Sequence, residues 1–177
     1  MPTLTTPRLL LRPWQMTDLD DLYMYSQSPL VGPMAGWKPH ETREEAEAAL
    51  RSYLTQEHHF AIVLREKHCV IGAVKLNPDE NRGRYFAKSL SYVLSPAYRG
   101  RGYMTEAVQA VIWYAFDTLG ADLLTAFHKT ENPQSGKVLA RCGFTCEGTI
   151  YRARREYDCT VSDLVIWSLE RSDGPPG

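Results

Sequence analysis

Apolar positions along this chain keep two different rhythms, and the switches between them outline its elements. Leu9 and Leu11 alternate with Leu10 and Arg12, a two-residue period that predicts a strand entering a core. From Thr17 the period lengthens. Leu19, Leu22 and Tyr23 share a helical face, with Thr17 as the expected cap and Asp18, Asp20 and Asp21 in the acid-favouring first turn. Pro29 to Pro39 holds Gly32, Pro33, Gly36 and Trp37 and reads as a loop. Thr42 and Glu45 then form a capping box ahead of an inner stripe of Ala46, Ala49, Leu50, Tyr53 and Leu54.

The two-residue rhythm returns in Phe60 to Leu64 and Val70 to Leu76. The charged turn Arg65-Glu66-Lys67-His68 between them predicts a hairpin. Asn77 to Arg84 is polar and loop-like, and Phe86 to Leu94 is the next strand. A helix from about Tyr103 carries Ala107, Val108, Val111, Ile112, Ala115, Phe116 and Leu119, a broad face to be buried on a sheet, and Gly120 ends it. Leu123 to His128 is a strand and Pro133 to Arg141 a helix stopped by Gly143. Phe144 to Tyr157 with Val161 to Glu170 forms a closing hairpin. The expected fold is mixed α/β: about seven strands, about four helices, many hairpins and one strand–helix–strand crossover.

Length narrows this to one domain over residues 1–172, with 173–177 (Asp-Gly-Pro-Pro-Gly) as a disordered tail. The composition, 44% apolar and 23% charged with net charge −1, is that of a soluble globular protein. Such near-neutrality argues against a nucleic-acid partner held by a basic face. The apolar run Leu9 to Leu11 is too short for a signal peptide or a membrane span, so a cytoplasmic protein with no membrane partner is expected. Cys69, Cys142, Cys146 and Cys159 have no metal-ligand rhythm, and His58, His59 and His128 lack partner spacing, so no metal is expected. Oligomeric state stays open between monomer and homodimer.

Chemistry concentrates between the strand ending at Leu94 and the helix starting at Tyr103. Arg99-Gly100-Arg101-Gly102 places two glycines before a helix N-terminus, where backbone N–H groups can crowd an anion, and two arginines add full charge. The segment predicts a phosphate site. No Walker string exists, and the G-x-G-x-x-G fingerprint fails at Thr105. Asp122 lies where a ribose-binding acid would stand but just past Gly120, in a loop or strand start. A cradle lacking both fingerprints leaves the diphosphate of coenzyme A.

Arg99-Gly100-Arg101-Gly102-Tyr103-Met104 resembles the Gln/Arg-x-x-Gly-x-Gly/Ala acetyl-coenzyme A signature of the GNAT N-acetyltransferase superfamily, with Met104 where the pattern has a small residue. Glu131-Asn132-Pro133-Gln134-Ser135 and Val138 to Phe144 are similar to the Asn-x-x-Ser…Gly-Phe element of the branch that acetylates ribosomal-protein N-termini (alanine or serine). Thr6-Pro7-Arg8-Leu9-Leu10-Leu11-Arg12 resembles that branch's first strand. The resemblance implies a GNAT-like, mostly antiparallel twisted sheet and a cofactor site formed by Tyr92, Val93, Leu94, Arg99, Gly100, Arg101, Gly102, Tyr103, Met104, Thr105, Asn132 and Ser135.

It also implies roles. The pantetheine arm runs along Tyr92-Val93-Leu94 as an added strand, a backbone N–H there polarises the thioester, and Asn132 bonds the arm. Asn132 has a plainer role available as the cap of the helix opened by Pro133. Many members place a tyrosine acid seven residues after that Asn; here the position is Leu139, so either Ser135 or water protonates the thiolate. For the base, an α-amine near pKa 8 needs only mild help. Glu147 is the choice, with Glu131, Glu156 and Asp163 as other carboxylates on nearby elements. Arg152, Arg154 and Arg155, with Trp37 and His40, are candidates for shaping an acceptor cleft, although Arg152 and Arg154 share the face of an exposed strand. Cys142 has no neighbour to activate a thiolate, which favours direct transfer in a ternary complex. The expected activity moves acetyl from acetyl-coenzyme A to a primary amine, on a protein N-terminus or a small molecule. A non-catalytic acyl-coenzyme A sensor is the rival reading, and a nicotinamide enzyme a third.

Overall fold

The computed structural model describes residues 1–171. The tail expected at 173–177, with Ser172, lies outside the described residues. The described residues form eight strands: β1 (Leu4–Thr5), β2 (Leu9–Pro13), β3 (His59–Leu64), β4 (Cys69–Pro78), β5 (Ala87–Leu94), β6 (Leu123–Lys129), β7 (Thr145–Arg155) and β8 (Val161–Glu170). The helices are α1 (Leu19–Ser26), α2 (Gly32–Ala35), α3 (Arg43–Leu54), α4 (Tyr103–Trp113) and α5 (Pro133–Arg141). The strand order is β1-β2-β3-β4-β5-β6-β8-β7. β5 pairs with β6 in parallel, while β1–β2, β2–β3, β3–β4, β6–β8 and β7–β8 are antiparallel. The fold is the mixed, mostly antiparallel α/β sheet expected, with one more strand and one more helix. β1 is too short to show a period, and α2 is a single turn inside the expected Pro29–Pro39 loop. Among the described residues no helix is long and apolar enough to cross a membrane.

The chain divides into two compact units, Met1–Lys75 with Tyr92–Ala107, and Leu76–Ser91 with Val108 onward. In the first, β2, β3 and the start of β4 form antiparallel ladders. α1 and α3 pack with them around Trp14, Leu22, Tyr25, Leu50, Ala61 and Val63. The expected hairpin turn is there, closed by the His68 N–H on the Leu64 carbonyl. α3 starts as its capping box predicts, because Thr42 Oγ accepts the Glu45 N–H and Glu45 Oε2 accepts the Glu41 N–H. Its stripe is narrower than expected: Ala46 and Leu50 are buried, and Leu54 is exposed at the fraying end.

Thr17 does not cap α1. A 3₁₀ turn over Met16–Asp18 comes first, and Asp18 carries the junction. Its carboxylate accepts the Gln15 N–H and pairs with both terminal nitrogens of Arg12 at 2.7 and 2.8 Å. The fork-on-carboxylate geometry explains how a charge sits buried here.

In the second unit, β5 and β6 pair from Ala87↔Leu123 to Leu90↔Ala126. Both strands run on past that last pair, β5 to Leu94 and β6 to Lys129. The apolar face predicted for the long helix is buried from Val108 to Phe116, and beyond Trp113 the helix widens into a π turn over Tyr114–Thr118. Asp122 opens the next strand: its carboxylate and its N–H both bond the backbone of Phe86. β7 and β8 form the long closing hairpin, whose register shifts between Ile150 and Arg154. Arg152 has φ of 52° inside that shift, so the simple alternation expected to put Arg152 and Arg154 on one face does not hold.

Candidate active site

In the first unit, β5 leads through a short 3₁₀ turn, Pro96–Tyr98, into Arg99-Gly100-Arg101-Gly102 and then α4. Gly100 and Gly102 have φ of 76° and 78°, the left-handed conformation expected of a turn whose backbone N–H groups are re-aimed. The first bond of α4 runs from the Glu106 N–H to the Gly102 carbonyl at 3.1 Å. The helix therefore opens directly out of the turn, which lies at the positive end of its dipole. A cradle lined by two glycines at a helix start suits a diphosphate.

The two arginines behave differently. Arg99 turns back on the protein: Nη2 donates to the Leu30 carbonyl at 2.9 Å and Nε to the Leu94 carbonyl at 3.4 Å. Burial lowers its pKa from the ordinary arginine value. Arg99 thus ties the loop to the end of β5. Arg101 is exposed, and its carbonyl accepts a bond from Arg8 Nη1 at 2.8 Å. Tyr103 and Met104 are buried, so the bulk of Met104 points into the protein interior; Thr105 is half-buried beside them.

The strand carrying Tyr92, Val93 and Leu94 is set by close backbone packing. The Ser95 N–H donates to the Ile71 carbonyl at 2.8 Å, and Gly72 lies directly against Val93. Trp37 and His40 belong to this unit as well. Their rings are 5.2 Å apart, and His40 Nδ1 lies 2.9 Å from Ser26 Oγ. Burial lowers the His40 pKa, which keeps the ring neutral at physiological pH.

In the second unit, Asn132 stands at the N-terminus of α5 but its side chain does not cap the helix; the backbone carbonyl does, accepting the Ser135 N–H at 3.1 Å. The plainer role available to that amide is therefore not taken. Ser135 is half-buried in the first turn, followed by Gly136, where an added Cβ would stand 2.7 Å from His128 Nε2. Leu139 is fully buried and fills core, so the position holds no proton donor.

The carboxylates separate by environment. Glu147 Oε2 accepts from Arg82 Nη2 at 2.7 Å, and bonds from Arg82 and Ser168 hold its carboxyl below the usual range. Glu156 is not a solvated surface acid. Instead its side chain is buried between Lys129 Nζ at 3.1 Å and Arg154 Nε at 3.0 Å. Asp163 Oδ1 accepts the Arg152 N–H at 2.7 Å, and Glu131 is exposed. Burial drives the Cys142 thiol up to about 12, the opposite of what a nucleophile needs.

Two features of this geometry had no signal in the sequence. Arg8 was visible only within the segment Thr6 to Arg12 and nothing singled out Glu106, yet the two are joined. Gly72 was one apolar-run residue among several, and its contact with Val93 depends on strand packing alone.

Comparison with known proteins agrees with the geometry. The Acetyltransferase (GNAT) domain model matches residues 8–145. An uncharacterized N-acetyltransferase, p20, of Bacillus licheniformis is 31% identical over 171 residues, covering 93% of this chain and 92% of its own. The [ribosomal protein uS5]-alanine N-acetyltransferase of Escherichia coli is 33% identical over 99 residues, 54% of this chain and 49% of its own. A GNAT-family acetyltransferase from Bacillus anthracis has the same fold, with a TM-score of 0.87 at 19% identity over 97% of this chain and 99% of that one. With the glycine turn in place and the family match running through both units, the chain belongs to the GNAT family and is an acetyl-coenzyme A-dependent acyltransferase.

Proposed function

We propose that this protein acetylates a primary amine by direct transfer from acetyl-coenzyme A in a ternary complex, with a protein N-terminus as the favoured acceptor and a small amine as the alternative. The observation that carries the reading is the paired left-handed turn at Gly100 and Gly102 ahead of α4, a backbone anion cradle without a nucleotide fingerprint. The N-terminal acceptor is favoured by the likeness to the uS5-alanine enzyme. Residues 1–172 act as one catalytic domain in this reading, in keeping with a family match spanning 8–145.

Bound acetyl-coenzyme A supplies an activated thioester; the chain supplies the rest. Gly100, Arg101, Gly102, Tyr103, Met104 and Thr105 hold the diphosphate through backbone N–H groups, with Arg99 setting the shape of the loop. Tyr92, Val93 and Leu94 take the arm along the end of β5. Asn132 bonds the arm, consistent with an amide that does not cap its own helix. Ser135 donates a proton to the departing sulfur and recovers one, through water, from the acylated amine nitrogen.

Glu147 keeps its charge through the physiological range and so is a weak base. That suffices for an α-amine near pKa 8, about a tenth of which is already neutral at pH 7. Glu147 draws the ammonium and passes its proton to water. An acyl-enzyme on Cys142 is disfavoured by the raised thiol pKa.

The test is thiol release, followed by mass spectrometry, from acetyl-coenzyme A with a panel of peptides bearing N-terminal alanine or serine, polyamines and amino sugars. Faster turnover of the peptides supports the N-terminal reading. A preference for a polyamine or sugar moves the acceptor to small amines. Tight coenzyme A binding with no turnover of any acceptor would favour the sensor.

A further inference from the structure

Glu106, in the first turn of α4, is the anchor of an unusual set of bonds from the N-terminal segment. Its Oε1 accepts Thr6 Oγ1 at 2.6 Å and the Arg8 N–H at 2.9 Å, and its Oε2 accepts Arg8 Nε at 2.6 Å. Burial alone would raise this carboxyl, but those bonds outweigh it and leave the pKa below the ordinary glutamate value. The rest of the Arg8 guanidinium reaches the cofactor turn. Nη1 donates to the Arg101 carbonyl at 2.8 Å, the group lies over the Tyr103 ring at 4.5 Å, and Nη2 is 3.4 Å from where a Cβ on Gly102 would be.

The bond to Arg101 has a geometric consequence. In a trans peptide the carbonyl and the following N–H point to opposite sides. Holding the Arg101 carbonyl on Arg8 therefore turns the Gly102 N–H to the opposite side of the turn. Arg8 is nearly half exposed, and a salt bridge of that kind adds little stability. Its planar fork, fixed at Nε by Glu106 and at Nη1 by the loop, is instead suited to setting orientation.

We propose that Arg8, anchored by Glu106, is a positioning residue that pre-orients the Arg101–Gly102 peptide so that its N–H is presented to the coenzyme's diphosphate. The inference rests on the coenzyme A reading of the turn and goes beyond it by assigning the turn's donor geometry to a residue in the bend between β1 and β2.

The experiment compares two acetyl donors, acetyl-coenzyme A and S-acetylpantetheine, which has the same arm and thioester but no diphosphate. Calorimetry measures coenzyme A binding alongside. Arg8→Met should weaken coenzyme A about tenfold, the scale of losing charge-assisted orienting bonds, while kcat/KM for S-acetylpantetheine stays within twofold. Arg8→Lys keeps the charge but cannot make both bonds, so it should restore little. Glu106→Gln should move in the same direction and decides the matter if Arg8→Met does not fold. Unchanged coenzyme A affinity, equal losses with both donors, or full restoration by lysine overturns the proposal. Wild-type protein that fails to bind coenzyme A removes the functional reading itself, and the proposal with it, a result no Arg8 variant can imitate.

Discussion

Gly72 and Val93 are in such close contact that a Cβ built on Gly72 would lie 2.3 Å from the Val93 carbonyl oxygen, well inside any real contact distance. The obstacle is backbone, which cannot swing aside as a side chain can. Gly72→Ala should force β5 away at the segment assigned to the pantetheine arm. A loss of about 1–3 kcal/mol is expected, as for other overpacked sites, together with weaker coenzyme A binding. Thermal melting and calorimetry check it; an alanine variant matching wild type in both would show that the strands yield freely.

The two glycines of the turn should respond differently. Gly100 has open space around it, so only its φ of 76° restricts substitution, and Gly100→Asn, a residue tolerant of that conformation, should bind coenzyme A within a fewfold of wild type. At Gly102 the φ of 78° is joined by Arg8 Nη2, 3.4 Å from where a Cβ would stand, and Gly102→Val should weaken binding at least tenfold. Dissociation constants for the two variants side by side decide this.

Ser135 and Glu147 are separable by kinetics. Ser135→Ala should lower kcat more than it raises KM for acetyl-coenzyme A, since a proton donor acts in the transition state; equal losses would make it a binding residue. Glu147→Gln should reduce kcat/KM for the amine severalfold at pH 7 and recover toward wild type near pH 9, where the amine is already neutral. A deficit constant across pH would leave Glu147 only a structural partner of Arg82.

Acid should weaken the fold through His59 before it does so through carboxylates. Burial, with the charge of Lys75, brings the His59 pKa to about 3, and Gln56 Oε1 accepts from Nδ1 at 3.1 Å. Between about 6.5, the unfolded value, and 3 the unfolded chain binds the extra proton, so stability declines as pH falls through that window. The slope should approach about 1.4 kcal/mol per pH unit for one proton. His59→Phe should flatten it between pH 6.5 and 5 in urea titrations, His40 supplying what remains. Glu106, Glu147 and Glu156, all held low, add their loss only below the ordinary glutamate range, about 4.3.

Thiol reactivity should divide the cysteines. Cys146 and Cys159 are exposed and should react with a thiol reagent at pH 8, whereas Cys142, buried and raised to about 12, should react only on unfolding. Cys142→Ala should retain acetyl transfer. An acetylated Cys142 peptide trapped during turnover would overturn direct transfer.

Periodicity and punctuation carried most of the fold. The stripe from Ala107 to Phe116, the Thr42–Glu45 box and the turn at His68 were legible because each rests on residues within a few positions of one another. β1 and α2 escaped because two residues or a single turn show no period. Thr17 misled because local cap preference competed with a buried carboxylate, Asp18, whose partner Arg12 is in another element. At the site, the glycine turn was legible as a string. The burial of Glu156 was not legible because it depends on Lys129, which only the pairing of β6 with β8 brings near. Gly72 was silent for the same reason.

The bond from Arg8 to Glu106 spans 98 positions. Contacts that distant cost the most chain entropy to close and tend to form after local ones. Donor-binding competence should therefore be among the last properties this chain acquires as it folds. During synthesis, Arg8 must wait for the ribosome to release α4 before the turn is held in shape.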